Sequence, residues 1–229
     1  MFKDKIHHIF FDLDHTLWDF DKNSELAFDL IFKENHPTLD TKSFVEIYAP
    51  INQLCWKLYQ FDKITHQELR YKRLKDSFDA MKYDISDADI DQMAIDYITF
   101  LPQNNLLFEG AKEVLEYLNP NYKLHIITNG FAEVQYKKLK NSGISDYFAS
   151  ITNSEMAGVK KPNPKIFQFA LSLANATKEN SIMIGDCIDA DVKGALSFGM
   201  EAIFFNEKKE AISKDINQIH QLIQLKEFF

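Results

Sequence analysis

The sequence predicts an α/β fold in which an all-helical domain interrupts a doubly wound, Rossmann-like parallel sheet. Five short apolar runs have the length and composition of buried strands, and they lie at 7–13, 124–128, 148–152, 182–185 and 202–205. Helix-like sequence separates the later runs, at 132–142, 164–174 and 189–198. Because parallel strands require such crossover connections, this order predicts a parallel sheet.

The first predicted strand ends in a pair of carboxylates. Asp12 and Asp14 belong to the segment Asp-Leu-Asp-His-Thr-Leu, which directly follows the apolar run 9–11. Because strand side chains alternate with a period of two, both carboxylates are expected to point the same way. Like charges held this close repel each other, so the pair is costly unless a cation or a reaction uses it. An acidic surface loop is the alternative interpretation.

The strand signal disappears between residues 18 and 101, which predicts a helical cap domain over 18–101. Residues 1–17 and 102–229 then form the α/β core domain. Open α/β sheets bind their ligands at the carboxyl ends of the strands. An insertion directly after the first strand is therefore expected to lie over that edge of the sheet and to act as a lid.

Helices are predicted within this insertion from periodicity and capping. Apolar residues recur at three- and four-residue steps over 44–58, which indicates an amphipathic helix. Pro50 is expected to break or kink that helix. Thr65 and Glu68 have the spacing of a capping box for the next helix, and Ser86 is predicted to begin a further one.

Three further motifs stand at predicted strand ends or helix starts. They are Thr128-Asn129-Gly130, the segment 158–164 with its pair Lys160-Lys161, and Gly185-Asp186 followed by Asp191. Taken singly, each is most often an ordinary turn, a solvated surface or a tight connection. Together with the carboxylates at the first strand they place acidic groups, a lysine and a hydroxyl at one sheet edge. Such a set describes a Mg²⁺ site beside a phosphate site, and no His/Cys cluster suits zinc.

With these four motifs in order, the chain resembles the haloacid dehalogenase superfamily of hydrolases over essentially its whole length. The segment 18–101 resembles the cap that this superfamily inserts between its first and second motifs. The chain is most similar to the pyrimidine-nucleotidase branch, the YjjG- and YfnB-type phosphatases. That closer resemblance rests on the segments 127–131 and 154–163, on Gln135, and on Tyr48, Asn52, Trp56, Tyr59 and Ile64-Thr65 of the insertion.

The resemblance implies a catalytic and a metal-binding role for the acidic residues. Asp12 is implied as the nucleophile that forms an aspartyl-phosphate. Asp14 is implied as the general acid toward the leaving alcohol and then as the base for the hydrolytic water. Asp12, the main-chain carbonyl of Asp14, and Asp186 are implied as ligands of Mg²⁺. Asp191 is implied to stand behind these ligands, where it positions the loop or a metal-bound water.

The phosphate-binding residues complete the implied site. Thr128 and Lys161 are implied to hold the phosphoryl oxygens, and the amide of Asn129 is a further candidate donor to the anion. A carboxylate that attacks a phosphate dianion needs its repulsion cancelled, which Mg²⁺ and Lys161 together would do. The chain carries a net charge of −8, which makes this local cancellation more necessary.

These roles predict a Mg²⁺-dependent phosphatase that hydrolyses small phosphate monoesters, most specifically a 5′-nucleotidase for pyrimidine nucleoside monophosphates. Asp14 separates this function from dehalogenation, because an alkoxide leaving group needs a proton and the resembling dehalogenases, phosphonatases and P-type ATPases have a different residue there. Phe20, Tyr48, Trp56 and Tyr59 are candidates for stacking on a base, although Tyr48 equally fits a plain core position. The alternatives are a sugar-phosphate phosphatase or phosphoglucomutase of the same fold and, more remotely, an inactive interaction protein.

Composition and charge bound the remaining possibilities. The net charge of −8 and pI near 5.4 argue against binding of nucleic acid polymers or anionic membranes. The N-terminal run is too short and too polar for a signal peptide or a membrane span. Cys55 and Cys187 are expected to be free thiols in a reducing cytoplasm, with Cys187 inert rather than redox-sensitive. His15 is expected to pack at the strand end, with a tuning of the pH profile as the alternative.

Overall fold

Residues 2–229 are described by a computed structural model, and they divide into two units. The first unit consists of Met1–Asp19 and Asn105–Phe229, and the second of Phe20–Asn104. The sequence predicted boundaries after residues 17 and 101. The observed boundaries follow Asp19 and Asn104, which are two and three residues later. Within the described residues no helix combines the length and the apolar character needed to cross a bilayer.

The second unit is helical, as predicted. Its helices are α1 (Phe20–Asn35), α2 (Thr41–Gln60), α3 (His66–Met81) and α4 (Asp87–Phe100). Thr65 and Glu68 form the expected capping box at the start of α3, and the side chain of Ser86 caps α4 by accepting a hydrogen bond from the Asp89 N–H. The capping signals in the sequence therefore mark these two helix starts correctly.

Of the two outcomes expected at Pro50, the break is wrong, because α2 continues through this residue from Thr41 to Gln60, and the kink stays a prediction. Proline removes one backbone hydrogen bond and crowds the preceding turn, but packing on both sides of it offsets this cost. Phe44 and Tyr48 before Pro50, and Cys55 after it, are all buried. Tyr48 lies edge-on to Phe28, with ring centroids 4.7 Å apart, so it is a core residue of the helical unit.

The first unit contains a parallel sheet. Among the described residues its strands are β1 (His8–Phe11), β2 (Lys123–Thr128), β3 (Phe148–Asn153), β4 (Ser181–Gly185), β5 (Glu201–Phe205) and β6 (Gln218–Ile219). The strand order is β3-β2-β1-β4-β5-β6, and all neighbours are parallel. The five predicted strands are confirmed, whereas β6 was not predicted because two residues carry no periodicity. The first strand ends at Phe11, not at the predicted Leu13.

The helices of the first unit connect these strands. They are α5 (Ala111–Leu118), α6 (Ala132–Asn141), α7 (Ser154–Ala157), α8 (Pro164–Ala174) and α9 (Gly194–Phe198). The crossover predicted over 189–198 is not one α-helix, because a π-helical segment, Ile188–Lys193, precedes α9. Apolar residues of α8 pack on the sheet, where Ile166 and Phe167 are fully buried.

The strand order creates a switch point at the centre of the sheet. From β1 the chain builds β2 and β3 on one side, and then β4, β5 and β6 on the other. Phe11 is paired with Ile126 of β2 and with Ile184 of β4, so the carboxyl ends of these three strands lie side by side. Ligand sites of open α/β sheets form at such a point, which is where the acidic and hydroxyl motifs of the sequence stand.

Candidate active site

A tight turn follows β1 and carries both aspartates of the first motif. The Asp12 N–H still donates to the Ile184 carbonyl at 2.9 Å, but the Leu13 carbonyl then accepts the N–H groups of Leu17 at 3.0 Å and Trp18 at 2.9 Å. His15 adopts a left-handed backbone conformation within this turn, with φ of 61°. The alternation expected of a strand therefore does not extend to Asp14. The two carboxylates contact different lysines.

Lys161 is the central cation of the site. Its buried ammonium contacts Asp12 Oδ1 at 2.8 Å, Asp191 Oδ1 at 2.7 Å and the Ile127 carbonyl at 2.6 Å. The contacts with Asp12 and with the Ile127 carbonyl are hydrogen bonds, and the contact with Asp191 is an ion pair. Lys161 is therefore fixed between the nucleophile candidate and a second, fully buried carboxylate.

Asn129 fixes the backbone of Lys161. Its Oδ1 accepts from the Lys161 N–H at 2.7 Å, and its Nδ2 donates to the Lys161 carbonyl at 3.0 Å. Both polar groups of this amide are thus committed to protein backbone. The structure therefore makes Asn129 a support for the lysine, and one of its two Nδ2 protons is used for this. The expectation that its side chain also donates to a phosphate stays a prediction.

Carboxylates form a candidate cation site beside this lysine. Oxygens of Asp12, Asp186 and Asp191 lie within 4.8 Å of one another. Asp191 has both oxygens engaged, Oδ1 with Lys161 and Oδ2 with the Cys187 N–H at 3.0 Å. Asp12 Oδ1 accepts from Lys161, and Asp186 Oδ1 accepts from the Thr16 hydroxyl. The Oδ2 atom of each of these two aspartates is left without a hydrogen-bond partner among residues 2–229. Hard carboxylate oxygens suit Mg²⁺, so this donor set fits that ion.

Burial and mutual repulsion set the electrostatics of this cluster. Burial raises the pKa of Asp12 to about 7 against the opposing effect of the Lys161 ammonium, and Asp191 and Asp14 add to the rise. Burial, followed by the charges of Asp12 and Asp191, raises the pKa of Asp186 well above its ordinary value. A cation between these oxygens would favour their ionised forms.

Asp14 lies against α6 with both oxygens engaged. Oδ1 accepts from the Lys138 ammonium at 2.6 Å, and Oδ2 accepts from Gln135 Nε2 at 2.8 Å. The same Nε2 donates to the Thr128 hydroxyl oxygen at 2.9 Å, and that oxygen also accepts from the Gly130 N–H at 3.0 Å. One amide thus connects the proton-transfer candidate with the phosphate-binding candidate.

The predicted site residues therefore fall into two neighbouring groups. The first group combines Asp12, Lys161, Asp186 and Asp191, and the second combines Asp14 with Thr128. Their roles stay predictions, but the sequence motifs do converge at the predicted edge of the sheet.

The sequence analysis assigned no role to three side chains that support these groups, namely Thr16, Gln135 and Lys138, although Gln135 was among the residues that carry the resemblance. The Thr16 hydroxyl donates to Asp186 Oδ1 at 3.1 Å and accepts from the Asp186 N–H at 3.0 Å, so it fixes a candidate metal ligand. Gln135 and Lys138 are three residues apart on α6, which places them on one helix face. That spacing was the available signal, but two further lysines of the segment, Lys137 and Lys140, do not share this face, so the sequence alone does not single out Lys138.

The cysteines are free thiols, as predicted. Burial raises the pKa of Cys187 to about 12, and the charge of Asp191 acts in the same direction. Its sulfur accepts a hydrogen bond from the Ala190 N–H at 3.4 Å. The thiolate form is therefore scarce at neutral pH, which agrees with an inert role.

Comparisons with known proteins place this geometry in context. A family model for haloacid dehalogenase-like hydrolases matches residues 6–199. The pyrimidine 5′-nucleotidase YjjG of Escherichia coli is 33% identical over 227 residues, which cover 95% of this chain and 96% of that protein. The pyrimidine 5′-nucleotidase PynA of Streptococcus pneumoniae is 32% identical over 203 residues, covering 86% and 83%.

A solved structure supports the same architecture. The crystal structure of YfnB from Bacillus subtilis, bound to magnesium, superposes with a TM-score of 0.87 at 28% sequence identity. The match covers 98% of both chains. The similarity thus extends over the sheet unit and the helical unit alike.

Proposed function

The chain belongs to the haloacid dehalogenase-like hydrolases, and from this membership we propose a Mg²⁺-dependent 5′-nucleotidase that acts on pyrimidine nucleoside monophosphates. The broader class is a phosphoric monoester hydrolase. The observation that carries the proposal is the Lys161 ammonium in contact with both Asp12 and Asp191, together with a further carboxylate, Asp14, that does not belong to the metal cluster.

In the proposed reaction Asp12 attacks the phosphorus atom and forms an aspartyl-phosphate, while the bond to the leaving oxygen breaks. Lys161 offsets the charge on the attacked phosphoryl group and keeps the nucleophile in place through its 2.8 Å contact. Asp191, which is buried, is the second carboxylate in contact with the lysine and helps to hold it. Splitting the hydrolysis through a covalent intermediate replaces one difficult step by two easier ones.

Asp14 transfers the protons in this proposal. It donates to the departing alkoxide in the first half and accepts a proton from the attacking water in the second. Such transfer contributes about 10²–10⁴-fold to a rate. The Thr128 hydroxyl, connected to Asp14 through Gln135, orients a phosphoryl oxygen.

The metal requirement follows from the same carboxylates. Asp12 and Asp186, with the main-chain carbonyl of Asp14, would hold Mg²⁺, and Asp191 and Thr16 would keep these ligands in place. When bound, the ion supplies Lewis-acid stabilisation of charge on the phosphoryl oxygens. The thiols Cys55 and Cys187 are free, and we propose a reducing, cytoplasmic location for the enzyme.

The nucleotide preference rests on the two nucleotidase relatives above 30% identity. In the helical unit, Trp56 and Tyr59 are half-buried and lie edge-on at 5.7 Å, so they are better placed than the interior Tyr48 and the buried Phe20 to meet a base.

A substrate panel tests this proposal. The purified protein with MgCl₂ is given uridine, thymidine and adenosine 5′-monophosphates, a hexose phosphate and p-nitrophenyl phosphate, and phosphate release is scored as kcat/KM. We expect the highest value for a pyrimidine nucleotide. A hexose phosphate in first place would favour the sugar-phosphatase alternative, and no turnover of any monoester would contradict the phosphatase function itself. Asp12→Asn should abolish turnover with an unchanged circular-dichroism spectrum.

A further inference from the structure

We propose that Lys138, assisted by Gln135, is a positioning residue for Asp14, fixing that carboxylate for proton transfer beside Thr128. The inference rests on the proposed function, in which Asp14 is the general acid and base. Neither Lys138 nor Gln135 belongs to the candidate metal cluster of Asp12, Asp186 and Asp191. Their role is inferred from contacts within the sheet unit.

Lys138 is a buried cation that faces Asp14. Only 2% of the residue is exposed, and its Nζ lies 2.6 Å from Asp14 Oδ1. The ammonium also lies over the ring of Trp18, 4.2 Å from the ring centroid. Removing an ammonium group from water costs several kcal/mol, and its contact with the Asp14 carboxylate offsets part of this cost. Trp18 and Asp14 come from the same turn, so the lysine fixes that turn at two points.

Gln135 fixes the other oxygen of the same carboxylate. Its Nε2 donates to Asp14 Oδ2 and to Thr128 Oγ1, at 2.8 and 2.9 Å. The amide reaches this place because residue 130 is glycine: a Cβ there would lie 1.8 Å from Gln135 Nε2. The fold therefore provides space for this one side chain between the two functional groups.

Two donors on two oxygens define both the place and the plane of the carboxylate. Asp14 stands in a turn after the strand, with its side chain 23% exposed, so α6 provides the rigid support that the turn lacks. Misplacement of a reacting group by about 1 Å can cost on the order of 100-fold in rate. Loss of Lys138 is therefore expected to lower kcat through Asp14 and to leave KM nearly unchanged.

A double-mutant cycle tests this coupling. Lys138→Met, Asp14→Asn and the double variant are compared with the unaltered enzyme, using uridine 5′-monophosphate and p-nitrophenyl phosphate with MgCl₂. We expect Lys138→Met to lower kcat for the nucleotide by roughly 10- to 100-fold and to change KM less than about threefold. In the Asp14→Asn background the same change should alter kcat by less than about threefold, because its target carboxylate is already gone. The loss should be smaller for p-nitrophenyl phosphate, whose leaving group needs little protonation.

Lys137→Met is the matched control, since Lys137 is the exposed neighbour on the same helix. It should leave kcat and the melting temperature unchanged. Gln135→Met supplies a second cycle with Asp14→Asn if Lys138→Met does not fold, and the same loss of coupling is expected.

Equal fold losses from Lys138→Met with and without the Asp14 carboxylate would show a merely structural role and overturn the inference. An unchanged kcat in Lys138→Met would overturn it as well. Failure of the proposed function has a different signature, namely no turnover of either substrate by the unaltered enzyme, or full activity in Asp14→Asn.

Discussion

A pair of buried histidines in the sheet predicts a loss of stability in mild acid. His8 Nδ1 lies 3.0 Å from His125 Nε2, and His125 Nδ1 lies 2.7 Å from the Ser150 hydroxyl. The ring of Phe10 is stacked on that of His125 at 4.6 Å. Burial lowers the pKa of His125 from 6.5 to about 4, and His8 and Lys123 act in the same direction.

The sign and size of the effect follow from linkage. The unfolded chain binds a proton at His125 below about pH 6.5, whereas the folded protein binds it only near pH 4. The stabilising contribution of the neutral ring is therefore fully present above pH 6.5 and is lost as the pH falls toward 4. At about 1.4 kcal/mol for each unit of pKa, this group accounts for about 2.5 kcal/mol of the fall in unfolding free energy between pH 7.5 and 4.5.

Urea unfolding at these two pH values measures the effect. His125→Gln keeps a hydrogen-bonding side chain but removes the titration, so its free energy of unfolding should fall by about 2.5 kcal/mol less than that of the unaltered protein. His7→Gln changes an exposed histidine next to the pair and should leave the fall unchanged. If the unaltered protein and His125→Gln lose the same free energy over this range, the assignment of the acid sensitivity to His125 is refuted.

Three further predictions concern the site. Gly130→Ala should expel the Gln135 amide and lower kcat as much as Gln135→Ala does, and the double variant should be no slower than either; additive losses would contradict the clash. Lys161→Met removes the cation that contacts two buried carboxylates, so the unfolding free energy should drop by about 3 kcal/mol. Calorimetry should then record a melting temperature lower by roughly 10 °C, and an unchanged melting temperature would contradict this. In a Cys55→Ser background, Cys187 should react with iodoacetamide at pH 8 at least about tenfold more slowly in the native protein than in urea.

The sequence predicted those parts of the fold that depend on local pattern. Apolar runs of four or five residues predicted β2, β4 and β5 to within one residue at each end, because a strand buried on both faces reads as a continuous apolar run. The capping box at Thr65 predicted a helix start because its two hydrogen bonds are made within four residues. The position of the acidic pair at the carboxyl end of the first strand was predicted in the same way, whereas the strand order was not.

What the sequence could not predict depends on tertiary contacts. The continuity of α2 through Pro50 is decided by packing that no local pattern contains. Asn129 was predicted as an anion donor because Thr-Asn-Gly precedes a helix, but its contacts with the backbone of Lys161, thirty-two residues later, could not be predicted from local pattern. Lys137 and Lys138 are neighbours on α6, but Lys137 is exposed and Lys138 is buried against Asp14. Which of the two lysines is buried depends on the packing of the turn after β1 on α6, and no local pattern shows this packing.

The two buried lysines balance only part of the negative charge of the carboxylates at the site. Four carboxylates, those of Asp12, Asp14, Asp186 and Asp191, surround the ammonium groups of Lys138 and Lys161. Fully ionised, this set carries two negative charges in excess, which is the charge that one divalent cation balances. Since Lys138 is paired with Asp14, and Lys161 lies between Asp12 and Asp191, the excess falls on Asp12 and Asp186, the carboxylates that each keep an oxygen free of protein donors among the described residues. The pKa of each is raised by burial, so a divalent ion bound there would favour the ionised form of both carboxylates. In the proposed mechanism, metal binding and ionisation of Asp12 would therefore be coupled, and the Asp14 carboxylate, paired with Lys138, would not take part in that coupling.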